Sequence, residues 1–187
     1  MPETQKLHTF VLYVENHPGV LNRVASLFRR RAYNIESLTV GHTERPGISR
    51  MTIVAGISEG AAKRVEANLY KLVPVLSVED VTHSPTTSRS LALIKVEAQE
   101  ESRHRLMEVV RVFRARVVDL AAQSLVVEIT GTEEKIQALV EVLRPYGILE
   151  MARTGQVVMS RGARRKPDDP SAVLNELSFE PEASQSV

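Results

Sequence analysis

Apolar residues recur along this chain in two rhythms, one for strands and one for helices, and the whole alternation occurs twice. Thr9 to Val14 is a continuous apolar run rich in β-branched and aromatic residues, which predicts a buried strand. Pro18 and Gly19 end it and open a helix. In that helix Val20, Leu21, Val24, Leu27 and Phe28 recur at helical spacing, while Asn22, Arg23, Ser26, Arg29 and Arg30 face the other way. Ile35 to His42 and Arg50 to Ile57 read as strands joined by a turn at Arg45-Pro46-Gly47. Ser58 and Glu59 supply an N-cap and a first-turn acid to a second helix, whose inner stripe is Ala62, Val65, Leu69 and Leu72. Pro74 stops it, and Val75 to Val81 is a fourth strand.

Leu91 to Val96 then begins the order again. A helix buries Leu106, Val109, Val110 and Phe113, and a hairpin follows from Val117 to Ala121 and Leu125 to Ile129. The last helix buries Ile136, Leu139, Val140 and Leu143, with Glu133 and Glu134 at its start and Arg144 at its end. Ile148 to Ala152 and Val157 to Ser160 close the pattern as strands. The fold class is therefore α+β: two tandem ferredoxin-like βαββαβ units, each an antiparallel four-stranded sheet with two helices on one face. The expected division is a unit over residues 7–83, a linker over 84–89 (Ser84-Pro85-Thr86-Thr87-Ser88), a second unit over 90–162, and a disordered tail over 163–187 rich in Pro, Ser, Asp and Glu. A unit of about 75 residues with open sheet edges gains by pairing with a second copy, so a homodimer is expected.

Composition narrows the classes. Of 187 residues, Lys plus Arg number 24 and Asp plus Glu 23; a net charge of +1 gives no reason to expect a nucleic-acid partner. Cysteine is absent, which removes disulfides and thiolate chemistry. No charged n-region with an apolar stretch opens the chain, and no apolar run approaches the roughly 20 residues that span a bilayer. A cytoplasmic protein without membrane contact is the expectation.

The turn Asn16-His17-Pro18-Gly19-Val20-Leu21 carries the chemistry. A helix N-terminus offers unpaired N–H groups and partial positive charge, a natural seat for a carboxylate. Gly19 lets a ligand reach the backbone, Pro18 presets the entry angle, and Asn16 offers both a donor and an acceptor. Val20 and Leu21 can line an apolar pocket. Together these suit a free aliphatic amino acid, although Pro-Gly before a helix is also ordinary turn chemistry. Aligning Phe28 with Phe113 puts the second copy's turn at Gln99-Glu100-Glu101-Ser102, without glycine and with two acids, and pairs Asn34 with Asp119. The second copy thus lacks what a zwitterion needs. Asn34, beside Ile35, is either a partner for the ligand's ammonium or a turn former, and the pattern alone leaves both open.

Tyr33-Asn34-Ile35-Glu36-Ser37-Leu38-Thr39-Val40 and Ser49-Arg50-Met51-Thr52-Ile53 resemble the regulatory small subunit of acetohydroxyacid synthase, also called acetolactate synthase. The resemblance continues in Asn68-Leu69-Tyr70-Lys71-Leu72-Val73, Leu91-Ala92-Leu93-Ile94-Lys95-Val96, Ala152-Arg153-Thr154-Gly155 and Ser160-Arg161-Gly162, and covers roughly residues 7–162. It implies an N-terminal ACT domain, a C-terminal domain of similar order, and dimers whose N-terminal sheets join. It also implies a non-catalytic role: binding and activating the catalytic large subunit, and conferring feedback inhibition by valine, in some members by leucine or isoleucine, in branched-chain amino acid biosynthesis. The effector-binding residues it implies are Asn16, His17, Pro18, Gly19, Val20 and Leu21 of one chain, with Asn34 and Ile35 of the other. Thiamine diphosphate, Mg and FAD belong to the catalytic partner; this chain is expected to hold no cofactor and no metal. His17, and His42 after a Gly41 that fits the usual small residue, depart from the usual pattern, and His17 would make effector sensitivity depend on pH.

Two other classes fare worse. The five histidines (His8, His17, His42, His83, His104) are scattered without ligand spacing and read as surface or loop residues, and no nucleophile elbow or phosphate-cradling glycine loop is present, so intrinsic catalysis lacks its chemistry. One RNA-binding module shares the βαββαβ order but needs exposed aromatics on its sheet; aromatics here are 4% and fall in core patterns. Arg23, Arg29, Arg30 and Arg31 form a basic helix face that reads equally as a docking surface or as solvated charge.

Overall fold

The computed structural model describes residues 5–162. The expected disordered tail, 163–187, lies outside the described residues. The first half runs β1 (Lys6–Glu15), α1 (Val20–Arg30), β2 (Ile35–His42), β3 (Ile48–Ile57), α2 (Glu59–Leu69) and β4 (Val75–Asp80). The second runs β5 (Thr86–Glu97), α3 (Glu100–Val112), β6 (Arg116–Leu120), β7 (Ser124–Gly131), α4 (Glu133–Leu143), β8 (Ile148–Arg153) and β9 (Val157–Ser160). The sheet orders are β2-β3-β1-β4 and β6-β7-β5-β8, antiparallel throughout, the order that defines tandem ferredoxin-like folds.

Each sheet packs its helices on one face by the alternation along its strands. Phe10, Leu12 and Val14 of β1 join Val24, Leu27, Phe28, Val65 and Leu69 in the first core. Ile94, Val96, Leu106, Leu125, Val127, Ile136 and Leu139 form the second. The helices start where local chemistry says they should. Ser58 Oγ accepts from the Ala61 N–H, and Thr132 Oγ1 from the Lys135 N–H. The peptide N–H of Glu134, and after it the Thr132 hydroxyl, lower the Glu134 carboxyl from its ordinary value.

Of residues 84–89, expected as a linker, only Ser84 and Pro85 lie outside a strand. Thr86–Arg89 extend β5 beyond the second sheet and pair with β9, from Thr86 opposite Ser160 to Arg89 opposite Val157. A Ser/Thr run reads as loop by polarity, yet threonine is β-branched and extends readily when a partner strand satisfies its backbone. The resulting ribbon covers the helix-free face of the first sheet, where Val158 packs with Val11, Val81 and Tyr13. Beneath it Thr52 and Val54 are buried although they point away from both helices.

Candidate functional site

Gly19 is the N-cap of α1 and sits at φ 89°, a left-handed backbone that disfavours any side chain. Its own carbonyl accepts the first helical bond, from Arg23 N–H at 3.0 Å. No side chain caps α1, and its first turn holds no acid. The other α-helices among the described residues differ: α2 and α4 have both a cap and an acid, and α3 opens on Glu100 and Glu101. The positive end of α1 is thus left open to an anion, and a Cβ at Gly19 would meet nothing within 4 Å, so the approach is clear.

The turn is pinned from behind. Asn16 N–H donates to Gly47 O at 2.8 Å, and its side-chain amide lies 3.3 Å from His42 Nδ1. His17 is tethered between Glu15 Oε2 at 3.0 Å and Pro18 O at 3.1 Å. Pro18 precedes the helix as expected. Val20 belongs to the core at 2% exposure rather than to an open pocket, whereas Leu21 is 43% exposed beside the turn. Asn34 donates from Nδ2 to Glu36 Oε1 at 2.6 Å, across the start of β2. Ile35 is half-buried against the first core. Asn34 and Ile35 are not brought to the turn of their own chain: α1 stands between the two groups.

Two readings from spacing need correction. The chain adopts positive φ at Ala32 (53°) after α1 and at Arg114 (51°) after α3. Superposing those positions aligns Asn34 with Arg116, not Asp119, and Phe28 with Val110, not Phe113. The buried pairs Val24/Leu106 and Phe28/Val110 agree. The hydrophobic pattern slipped by about one helical turn because helix stripes repeat at that interval. The contrast itself survives: Arg116 is bound to Glu128, and α3 still opens on two acids. His8 is also no surface residue. It alternates with Phe10 on the helix-facing side of β1, fully buried, with Nδ1 2.9 Å from Asp80 Oδ2. Asp80 in turn accepts from Thr82 N–H at 3.0 Å. Nearby, burial raises the Glu66 carboxyl above the usual range, reinforced by the charges of Asp80 and Glu79 against a lowering hydrogen bond from the Asp80 backbone.

Sequence reasoning missed the seam between the two halves. A cleft of about 340 Å³ is lined there by Glu36, Ser37 and Leu38 on one side and by Arg153, Thr154, Gly155 and Gln156 on the other. Only the Gly155 of a strand-to-strand turn could have signalled a close approach. Among the described residues no group of three or more His, Cys, Asp or Glu is placed to hold a metal ion. No helix there is long and apolar enough to cross a membrane.

Two ferredoxin-like units in tandem, the first opening its leading helix on a bare glycine turn, make this a regulatory protein of the ACT type. Residues 10–77 match the AHAS small subunit-like ACT domain, and residues 89–162 match the small subunit of acetolactate synthase. The acetolactate synthase small subunit of Mycolicibacterium smegmatis is 48% identical over 157 residues, covering 84% of this chain and 92% of that protein. That of Bacillus subtilis is 46% identical over 156 residues, covering 83% and 91%. The crystal structure of the acetolactate synthase small subunit from Thermotoga maritima superposes with a TM-score of 0.79 at 36% identity, covering 85% of this chain and 99% of that one. The chain belongs to the acetolactate synthase small-subunit family, and its role is regulatory.

Proposed function

We propose that this protein binds and activates an acetolactate synthase catalytic large subunit and confers feedback inhibition by valine, with leucine and isoleucine as further effectors. It carries no catalytic residue of its own; thiamine diphosphate, Mg and FAD sit in the partner. Two chains pair through their residue 7–83 units, β2 edge to β2 edge, and the effector lies between them. Its carboxylate seats on the open end of α1 at Asn16 to Leu21 of one chain. Asn34 and Ile35 of the other chain take its ammonium and side chain.

The observation that carries this reading is the bare N-terminus of α1, with Gly19 in the left-handed region and neither cap nor acid in the first turn. β2 supports the pairing, because it is an edge of its sheet. A ligand held by two chains couples naturally to their packing, and a coupling of roughly 1–3 kcal/mol suffices for regulation. Valine exceeds alanine by two carbons, about 1.6 kcal/mol of burial, or somewhat over tenfold in affinity. The test is co-purification with the catalytic subunit, followed by acetolactate assays and titration calorimetry with valine, leucine and isoleucine. Binding, activation and inhibition by at least one of the three are expected. Absence of heat from all three at millimolar concentration would overturn the effector site.

A further inference from the structure

The seam between the two halves is built unlike an inert packing surface. Gly155, in the turn between β8 and β9, lies so close to β2 that a Cβ would stand 2.5 Å from Thr39 Oγ1 and 2.7 Å from Leu38 O. The next residue donates its backbone N–H, Gln156 to Ser37 Oγ, at 3.0 Å. Gln156 Oε1 in turn accepts from Ser88 Oγ at 3.0 Å, which ties the turn to the β5–β9 ribbon. Farther along the same face, Arg50 donates to Val158 O and stacks 5.8 Å from the Tyr13 ring.

This seam abuts the residues proposed to hold the effector's ammonium. Asn34 is bound to Glu36, and Glu36 lines the cleft that Thr154, Gly155 and Gln156 close from the other side. The contact is also incompletely satisfied: Thr39 Oγ1 and Arg50 Nε are buried without a hydrogen-bond partner. Unpaired buried polar atoms weaken an arrangement and leave an alternative packing close in free energy. A rigid turn against a strand, with an imperfect fit and the ligand residues two to three positions away, has the makings of a two-state element.

We propose that the Thr154-Gly155-Gln156 turn is the coupling element of this subunit. When the effector draws Asn34 away from Glu36, the start of β2 shifts, and the turn carries that shift through Gln156 and Ser88 to the C-terminal sheet. The inference rests on the effector site proposed above and adds the route by which occupancy reaches the rest of the chain.

The experiment uses the full chain reconstituted with a catalytic subunit and valine as the probe. Gly155→Val forces β2 and the turn apart; Ser37→Ala removes only the hydrogen bond from Gln156 and leaves the packing. For both variants, activation of the catalytic subunit stays within twofold of wild type and calorimetric valine affinity of the free subunit within threefold. Half-inhibition shifts to at least tenfold more valine in Gly155→Val and at least threefold in Ser37→Ala. Should Gly155→Val fail to fold, Ser37→Ala decides alone, together with hydrogen exchange at Gln156, whose protection must change when valine binds the wild-type chain. Inhibition curves that overlay wild type, or an unchanged Gln156 amide, overturn the coupling role. A wild-type chain that binds no branched-chain amino acid instead overturns the effector site beneath it, so the two failures are told apart.

Discussion

Gly19 and Asn34 flank opposite ends of α1, whose eleven residues span about 16 Å along its axis. One amino acid cannot touch both within a single chain, so a site that uses both residues must be shared between chains.

Mixing experiments test that sharing directly. Gly19→Asp and Asn34→Ala homodimers should each lose valine binding. A mixed dimer of the two variants should recover one intact site of two, because one interface then joins the wild-type turn of one chain to the wild-type Asn34 of the other. Calorimetry on the isolated mixed dimer should give half the wild-type stoichiometry. Zero sites in the mixed dimer would sink the two-chain arrangement.

Charge at the turn should matter more than bulk. Gly19→Asp places a carboxylate where the ligand's own is proposed to sit, and should abolish the valine response while leaving activation of the catalytic subunit largely intact. Gly19→Asn, neutral and more tolerant of the left-handed region, should keep measurable binding. Both variants should cost about 1–2 kcal/mol of stability at most, read by urea unfolding, because nothing packs against the missing Cβ.

β2 offers a way to separate folding from pairing. Thr43 N–H donates to Ile48 O, so by antiparallel alternation Gly41 and Thr39 bond β3 while Val40 turns its N–H outward from the sheet edge. Val40→Pro removes a donor that the chain's own sheet does not use. It should leave the circular dichroism spectrum near wild type yet shift sedimentation from dimer toward monomer and weaken valine binding in step. A variant that stays dimeric would show that the chains pair elsewhere.

Glu66 supplies a pH signature. Its folded-state carboxyl is raised, chiefly by burial, so the native state holds the proton more tightly than the unfolded chain does. The native state therefore loses stability as pH rises from the unfolded carboxylate value, about 4.3, through the raised folded value. Glu66→Gln removes the titration and keeps an oxygen for the Asp80 backbone. Its melting temperature should exceed that of wild type at pH 7, and the difference should shrink toward pH 4. A constant difference across that range would assign the effect to packing instead of ionisation.

Much of the fold could be read along the chain, and the failures have identifiable causes. β2 and β9 begin and end where the sequence pattern places them, and Ser58 marks its helix, since strand alternation and N-caps are written in consecutive residues. The turn at Gly19 was legible for the same reason. The pairing of Asn34 with Asp119 failed because a helical stripe repeats every turn, and only the positive φ at Ala32 and Arg114 removes that ambiguity. His8 was misjudged because nothing nearby in sequence announces Asp80, a partner 72 residues away.

Local pattern by itself determined the order of elements, the doubling of the βαββαβ unit, and the glycine turn that leaves α1 open, because each depends on residues within a few positions of one another. Tertiary structure alone decided that Thr86–Arg89 is a strand, that this ribbon covers the first sheet, and that Gly155 rests on β2. Those contacts join residues about 70 to 150 positions apart, and their energy comes from backbone pairing and close approach that no single segment encodes.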